Sequence, residues 1–279
     1  MKNISPEHVA ESVRRAIAED LGNGDLTAAL IPEVNPARAH VLTREVAVLC
    51  GRAWFDEVFR QINAKVAVAW AFEDGDALRA NDVLCRIEGP ARAILTAERT
   101  ALNFLQTLSG TATVARRFVD AVHGTDATIL DTRKTLPGLR REQKYAVGCG
   151  GARNHRMGLY DGILIKENHI AAAGSITAAV HAAQNTAPAG VFVEVEVETL
   201  AELRKAISAG AERILLDNFS IDSIRAAVAE TRGRAKLEVS GGVTLENVRA
   251  LAETGIDYIS IGALTKHVHA VDLSLRFDS

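Results

Sequence analysis

Six times between residues 128 and 261 the sequence runs through a short apolar, β-rich stretch that ends in polar residues or glycine, and alanine-rich amphipathic stretches alternate with these runs. The runs cover 128–132, 162–166, 191–197, 213–217, 236–239 and 258–261, and their helical partners include 175–184, 200–209, 221–231 and 245–253. Parallel neighbours need a long crossover, usually a helix, so this alternation predicts a parallel sheet with helices outside it. Such a sheet either closes into a barrel or stays open and doubly wound. All six runs end in groups suited to binding: Asp131-Thr132-Arg133-Lys134, Lys166-Glu167-Asn168-His169, Glu194 to Glu198, Asp217-Asn218, Ser240-Gly241-Gly242 and Gly262-Ala263. Barrel strands all aim at one mouth, whereas an open sheet concentrates its site at a switch point on fewer strands. The pattern favours the barrel.

Upstream the texture differs. Ser5-Pro6 predicts a helix start, a capping hydroxyl before a first-turn proline, with Val9, Val13 and Ile17 on one face and a stop near Leu21-Gly22. Short apolar runs at 38–49, 64–72 and 83–87, separated by Gly, Asp, Asn and Pro, predict a small sheet. Residues 90–123 are helical in pattern, with an interruption expected at Ser109-Gly110. The chain is therefore of the α/β class, with a small N-terminal domain over 1–103 and a β/α domain over 104–269. Residues 270–279 include an alternating segment expected to return to the N-terminal sheet.

With 48% hydrophobic and 24% charged residues, the chain belongs with ordinary globular proteins. Its formal charge of −3 argues against a general nucleic-acid or membrane-surface binder, and no nucleic acid or membrane partner is expected. Yet residues 131–169 hold eight Lys/Arg against four Asp/Glu, a basic segment suited to a small anion. Three widely spaced cysteines, Cys50, Cys85 and Cys149, provide neither a disulfide framework nor a Cys-x-x-Cys clip, so a cytoplasmic setting is expected. No signal core and no long apolar run is present in the sequence.

The chemistry gathers at the ends of the runs. Arg133 and Lys134 place a guanidinium fork beside an ammonium, suited to carboxylate or phosphate oxygens, with a solvated basic turn as the alternative. In Gly150-Gly151-Ala152-Arg153-Asn154-His155-Arg156, the glycines would let backbone approach a ligand and His155-Arg156 would add donors; a surface loop is the plain alternative. Lys166 ends an apolar run, where it could bind an anion, form a Schiff base or lie along the rim. Glu196 and Asp217 could hold ribose hydroxyls, coordinate magnesium, stabilise an oxocarbenium-like centre or simply neutralise the cations. Period-two alternation puts Glu194, Glu196 and Glu198 on one face, so spacing does not choose among them. Ser240-Gly241-Gly242 and Gly262-Ala263 end the last two runs, the first beside a helix expected from about Thr244, as in the phosphate sites of β/α barrels.

Together these segments resemble the quinolinate phosphoribosyltransferases. The likeness spans nearly the whole chain, through Glu19 to Thr27, Glu98-Arg99-Thr100-Ala101-Leu102-Asn103, Leu108 to Thr113, Asp131 to Arg140, Gln143 to Val147, Asn154-His155-Arg156, Leu164 to His169, Leu216 to Phe219, Ser240-Gly241-Gly242 and Gly262 to Thr265. The resemblance implies a small α/β sandwich domain joined to an incomplete, irregular β/α barrel of the TIM type. It implies transfer of phosphoribosyl from phosphoribosyl pyrophosphate to quinolinate with loss of carbon dioxide, giving nicotinate mononucleotide for NAD biosynthesis. By position, Arg133, His155, Arg156 and Lys166 would line the pocket for the quinolinate carboxylates. Arg99 would reach in from a partner subunit of a homodimer or larger assembly. Lys134, Glu196 and Asp217 would surround the phosphoribosyl pyrophosphate and its Mg2+, the two carboxylates as tentative metal ligands, and Lys134, Lys166, Glu196 and Asp217 form the expected catalytic set. Ser240, Gly241, Gly242, Gly262 and Ala263 would cradle the 5′-phosphate. Ala152 departs from the family pattern, where glycine is commoner. The rival readings are a paralogous transferase for another acid, a Schiff-base lyase using Lys166, and a non-catalytic anion binder.

Overall fold

The computed structural model of the protein describes residues 4–32 and 35–278; residues 1 and 279, the outer limits expected for the first domain and the returning segment, lie outside it. The chain forms two compact units, Met1–Arg116 with Arg141–Gly151 and His267–Ser279, and Arg117–Arg140 with Ala152–Lys266.

In the first unit, α1 (Pro6–Leu21) begins where Ser5 Oγ accepts a hydrogen bond from the His8 amide and Pro6 occupies the first turn. It buries Val9, Ser12 and Val13, while Ile17 is half-buried. Strands β1 (Pro36–Thr43), β3 (Ala67–Trp70), β5 (Val83–Pro90) and β12 (Leu273–Phe277) make an antiparallel sheet in the order β12-β1-β5-β3. The last strand lies along the first, with Thr43 opposite Leu273 and Ala39 opposite Phe277. Two short strands, β2 (Ala47–Val48) and β4 (Ala77–Leu78), pair separately. Between β2 and β3 comes α2 (Arg52–Ile62), a helix in the stretch between two of the expected apolar runs, to which no element is assigned from the sequence. It buries Trp54, Phe55, Val58 and Phe59, and Trp54 Nε1 finds a partner inside by donating to Ser12 Oγ at 3.0 Å.

The expected interruption at Ser109-Gly110 does not occur: α3 (Ala91–Ala121) is one 31-residue helix. Gly110 serves close approach rather than chain reversal, because a Cβ there would stand 2.0 Å from the carbonyl oxygen of His269. Ser109 is equally committed to packing, its hydroxyl accepting from the Cys50 amide at 2.9 Å and donating to the Cys50 carbonyl at 3.1 Å. A further helix, α4 (Arg140–Cys149), precedes the Gly150-Gly151 turn.

The second unit holds β6 (Thr128–Leu130), β7 (Gly162–Ile165), β8 (Phe192–Val197), β9 (Arg213–Asp217), β10 (Lys236–Ser240) and β11 (Tyr258–Ser260). All are parallel, in the order β6-β11-β10-β9-β8-β7. Each strand from β7 to β10 neighbours its successor, and β11 then pairs with β6. That is the cyclic order of a barrel, interrupted once, between β6 and β7. The helices are α5 (Glu167–Ala173), α6 (Ile176–Thr186), α7 (Leu200–Ser208), α8 (Ile221–Thr231), α9 (Val248–Ala252) and α10 (Ala263–Lys266). Ser175, Thr199 and Ser220 cap α6, α7 and α8 through their side-chain oxygens. α9 starts at Val248, not near Thr244, because the Asn247 side chain turns back, accepting from the Thr244 amide and donating to the Gly242 carbonyl, both at 2.9 Å.

Candidate active site

The site is built around the break in the barrel. Where a strand between β6 and β7 would stand, the segment from Arg153 to Arg156 substitutes for it. The Arg153 amide donates to Ile129 O at 2.9 Å, and its carbonyl accepts from the Asp131 amide at 3.1 Å, a single parallel bridge beside β6. Asp131, fully buried, then uses both carboxylate oxygens on the same segment: Oδ1 accepts from the His155 amide at 2.8 Å and Oδ2 from Asn154 Nδ2 at 2.7 Å. On the other side Arg156 Nη1 donates to the carbonyl of Gly162, the first residue of β7, at 2.9 Å. Gly162 tolerates this because a Cβ would meet the Phe192 ring at 2.7 Å and Arg156 Cβ at 3.0 Å. Two basic residues thus reach the site on a strand surrogate tied to both lips of the gap.

Arg133 and Arg156 form the cationic centre. Arg133 Nε is buried with no hydrogen-bond partner among the described residues, an arrangement that native interiors rarely leave unsatisfied. Burial, and then the neighbouring Arg133 guanidinium, push the Arg156 guanidinium below its usual value. Two partly desolvated guanidinium groups held close attract an anion strongly and donate in forks that fit a carboxylate. Arg140 holds this region in shape, donating from Nε to Thr135 Oγ1 at 3.1 Å, from Nη1 to Met157 O at 3.2 Å and from Nη2 to Arg133 O at 3.4 Å.

At the strand C-termini stand the remaining expected groups of this unit. Lys166 Nζ donates to Glu196 Oε2 at 2.6 Å, with the lysine half-exposed and the glutamate buried. A half-exposed lysine paired with a carboxylate lacks the desolvated setting that a Schiff-base lysine needs and suits an anion site instead. Its backbone amide donates to His169 Nδ1 at 3.0 Å, so His169 caps α5. Lys134 is held through its backbone, the amide on Thr132 Oγ1 and the carbonyl on the buried Thr265 hydroxyl, and its side chain passes over Gly262. A Cβ on Gly262 would lie 2.9 Å from Lys134 Cδ, so glycine is what lets the lysine cross there. Asp217 and Ser240 lie side by side in register at the ends of β9 and β10, with Gly241 and Gly242 next in both chain and left-handed backbone, φ 92° and 60°. Ala263 opens α10.

For a magnesium ion the donor set is suitable but sparse. Asp217 accepts only from Asn218 Nδ2, at 3.1 Å, and no cationic side chain pairs with it among the described residues. Glu196 is shared with Lys166. Magnesium keeps several waters and takes one or two carboxylates together with substrate phosphates, so these two residues fit it without forming a closed cage.

Beneath the mouth lies a cluster that sequence spacing did not single out. His155 Nε2 meets Glu194 Oε2 at 2.9 Å and stands 3.7 Å from Glu238 Oε1. Arg213 joins the two carboxylates, donating from Nε to Glu194 Oε1 at 2.9 Å and from Nη2 to Glu238, while its guanidinium stacks on the Phe192 and Tyr258 rings. Burial raises the pKa of both carboxyls above the ordinary range; for Glu238 the Glu194 charge raises it further. Gly150, expected near a ligand, instead packs on α3, where a Cβ would be 2.4 Å from Ala112 O. Arg99 lies in the first unit, on α3, lining a cleft with Asp20, Leu21, Thr96 and Thr100.

Comparison with known proteins agrees with this architecture. Residues 25–109 match the quinolinate phosphoribosyl transferase N-terminal domain and residues 111–276 its C-terminal domain. The probable carboxylating nicotinate-nucleotide pyrophosphorylase of Bacillus subtilis is 44% identical over 257 residues, covering 92% of this chain and 89% of that protein. The carboxylating nicotinate-nucleotide pyrophosphorylase of Mycobacterium leprae is 44% identical over 274 residues, 95% of each chain. The solved nicotinate-nucleotide pyrophosphorylase of Francisella tularensis superposes with a TM-score of 0.95 at 45% identity, covering 99% of this chain and 98% of that one. With both halves of its sequence matched and the whole fold shared, the chain belongs to the quinolinate phosphoribosyltransferase family.

Proposed function

We propose that this protein transfers the phosphoribosyl group of phosphoribosyl pyrophosphate to quinolinate and releases carbon dioxide, forming nicotinate mononucleotide. The observation that carries this reading is the buried Arg133 Nε, without a partner among the described residues, beside the partly desolvated Arg156, a cationic pocket suited to a carboxylate-bearing ligand. Quinolinate brings two carboxylates, and the family membership supports that substrate.

The chemistry follows from the groups at the mouth. Departure of pyrophosphate leaves positive character at ribose C1, which the carboxylates of Glu196 or Asp217 stabilise while the pyridine nitrogen forms the new C–N bond. Lys134 and Lys166 offset the charge of the phosphates and carboxylates, and the turns at Ser240-Gly241-Gly242 and Gly262-Ala263 offer backbone amides to the 5′-phosphate. Magnesium held at Asp217 and Glu196 would offset the charge of the leaving pyrophosphate. Once quaternised, the ring accepts the electron pair released as the C2–carboxylate bond breaks, and a proton takes the place of the carbon dioxide. We place the enzyme in the cytoplasm as a homodimer, with Arg99 contributed by the partner subunit.

The test is an assay of carbon dioxide release and nicotinate mononucleotide formation from quinolinate, phosphoribosyl pyrophosphate and magnesium, with nicotinate in parallel. Product from quinolinate that is lost in Arg133→Ala and Arg156→Ala supports the reading; no product with either acid sinks it.

A further inference from the structure

The ring of His155 has both nitrogens engaged inside the protein. Its Nδ1 accepts from the backbone amide of Arg156 at 2.7 Å, and an amide can only donate, so Nδ1 carries no proton. The remaining proton therefore sits on Nε2, facing Glu194 at 2.9 Å. Glu194 is itself fixed by Arg213, which bridges to Glu238, and the side chain of His155 is only 8% exposed. The charged groups near the ring include Glu194 from β8, Glu238 from β10 and Arg156 next in chain, with Arg213 of β9 bridging the two glutamates and Asp131, just past β6, holding the His155 backbone amide. An imidazolium would have to abandon the Arg156 amide. A ring so placed has no donor left for a substrate carboxylate.

We infer that His155 is a positioning residue, held as the neutral Nε2–H tautomer by the buried Glu194–Arg213–Glu238 cluster so that its Nδ1 orients Arg156. The assignment rests on the proposed function for its effect on quinolinate but not for the tautomer itself. Sequence position alone would make His155 a direct carboxylate donor; the geometry makes it the link between the barrel interior and the arginine that binds.

Two measurements test this. Two-bond proton–nitrogen correlation spectra of the 15N-labelled full chain, with His155 assigned by its absence in His155→Asn, should show a neutral ring protonated at Nε2 at pH 7. A ring protonated on both nitrogens, or on Nδ1 alone, would overturn the inference. In kinetics, His155→Phe should raise the KM for quinolinate about tenfold or more, the scale of one lost charge-assisted contact. The KM for phosphoribosyl pyrophosphate should stay within about twofold. His155→Asn, whose amide oxygen can replace Nδ1 as acceptor, should recover most of the loss; an Asn variant as impaired as Phe would place the ring against substrate instead. Wild-type protein without turnover would remove the functional reading, yet the tautomer is read without substrate. If one His155 variant fails to fold, the other supplies the assignment, so the wild-type spectrum stays decisive.

Discussion

A guanidinium nitrogen taken out of water without a partner is costly, and among the described residues Arg133 Nε has none. Its neighbour Arg156 is held below its normal pKa by burial and by Arg133, so the pair stores an unmet demand for negative charge. Arg133→Lys keeps one charge but loses the fork. It is expected to raise the KM for quinolinate by roughly 10- to 100-fold while leaving that for phosphoribosyl pyrophosphate within about threefold. Steady-state kinetics with each substrate varied in turn decides it, and a lysine variant with normal quinolinate KM would show that the fork is not used. At this scale the sequence was informative wherever a charged residue ended a strand, because strand direction in a barrel places such residues at one mouth: Arg133, Lys134, Lys166, Glu196 and Asp217 all stand out that way. It was silent on Arg213 and Glu238. One opens β9 and the other lies inside β10, and either reads in sequence as an ordinary solvated charge. The pairing of Arg213 with Glu194 and with Glu238 depends on register between residues 19 and 25 positions apart in the chain, which no local pattern reveals. Alternation correctly put Glu194 and Glu196 on one face, but only depth separates the one bound to His155 and Arg213 from the one bound to Lys166.

Among the secondary-structure elements, periodicity located the six barrel strands and most of their helices, whereas glycine misled. Ser109-Gly110 resembles a helix break in sequence, yet α3 runs through it because the carbonyl of His269 approaches the helix at the bare Cα. The helix α2 goes unassigned because the small sheet is read from the apolar runs on either side of it, whereas the helical spacing of Trp54, Phe55, Val58 and Phe59 carries it. Gly110→Ala should therefore behave as a severe overpacking substitution despite alanine's better helix propensity. The Cβ would fall 2.0 Å from His269 O and 3.0 Å from its carbonyl carbon, both backbone atoms that cannot rotate away. A loss of about 2–3 kcal/mol in denaturant unfolding is expected. Asn103→Ala, on an exposed turn of the same helix, should change stability by no more than about 0.5 kcal/mol. Equal small effects at both positions would mean that the His269 segment yields easily, and that Gly110 has no packing role.

For the whole molecule, the interior charges of the barrel couple folding to pH. Burial raises the pKa of Glu238 from 4.5, and the adjacent Glu194 charge raises it further, against the lowering effect of the Arg213 guanidinium. The folded protein then keeps a proton on this carboxyl where the unfolded chain has already released it. By linkage, stability declines as pH rises from about 4.5 through the folded value and stays lower above it. Glu194 shifts in the same direction, so wild-type protein should melt at a lower temperature at pH 8 than at pH 5 through this cluster. Glu238→Gln removes one of the two titrations while keeping side-chain size and an oxygen for Arg213. Any fixed packing cost of glutamine is the same at both pH values, so the informative quantity is the change in the melting-temperature difference between variant and wild type. That difference should move in favour of glutamine between pH 5 and pH 8. A difference independent of pH would mean that Glu238 binds its proton equally in the folded and unfolded chains, and that Arg213 alone neutralises the pair.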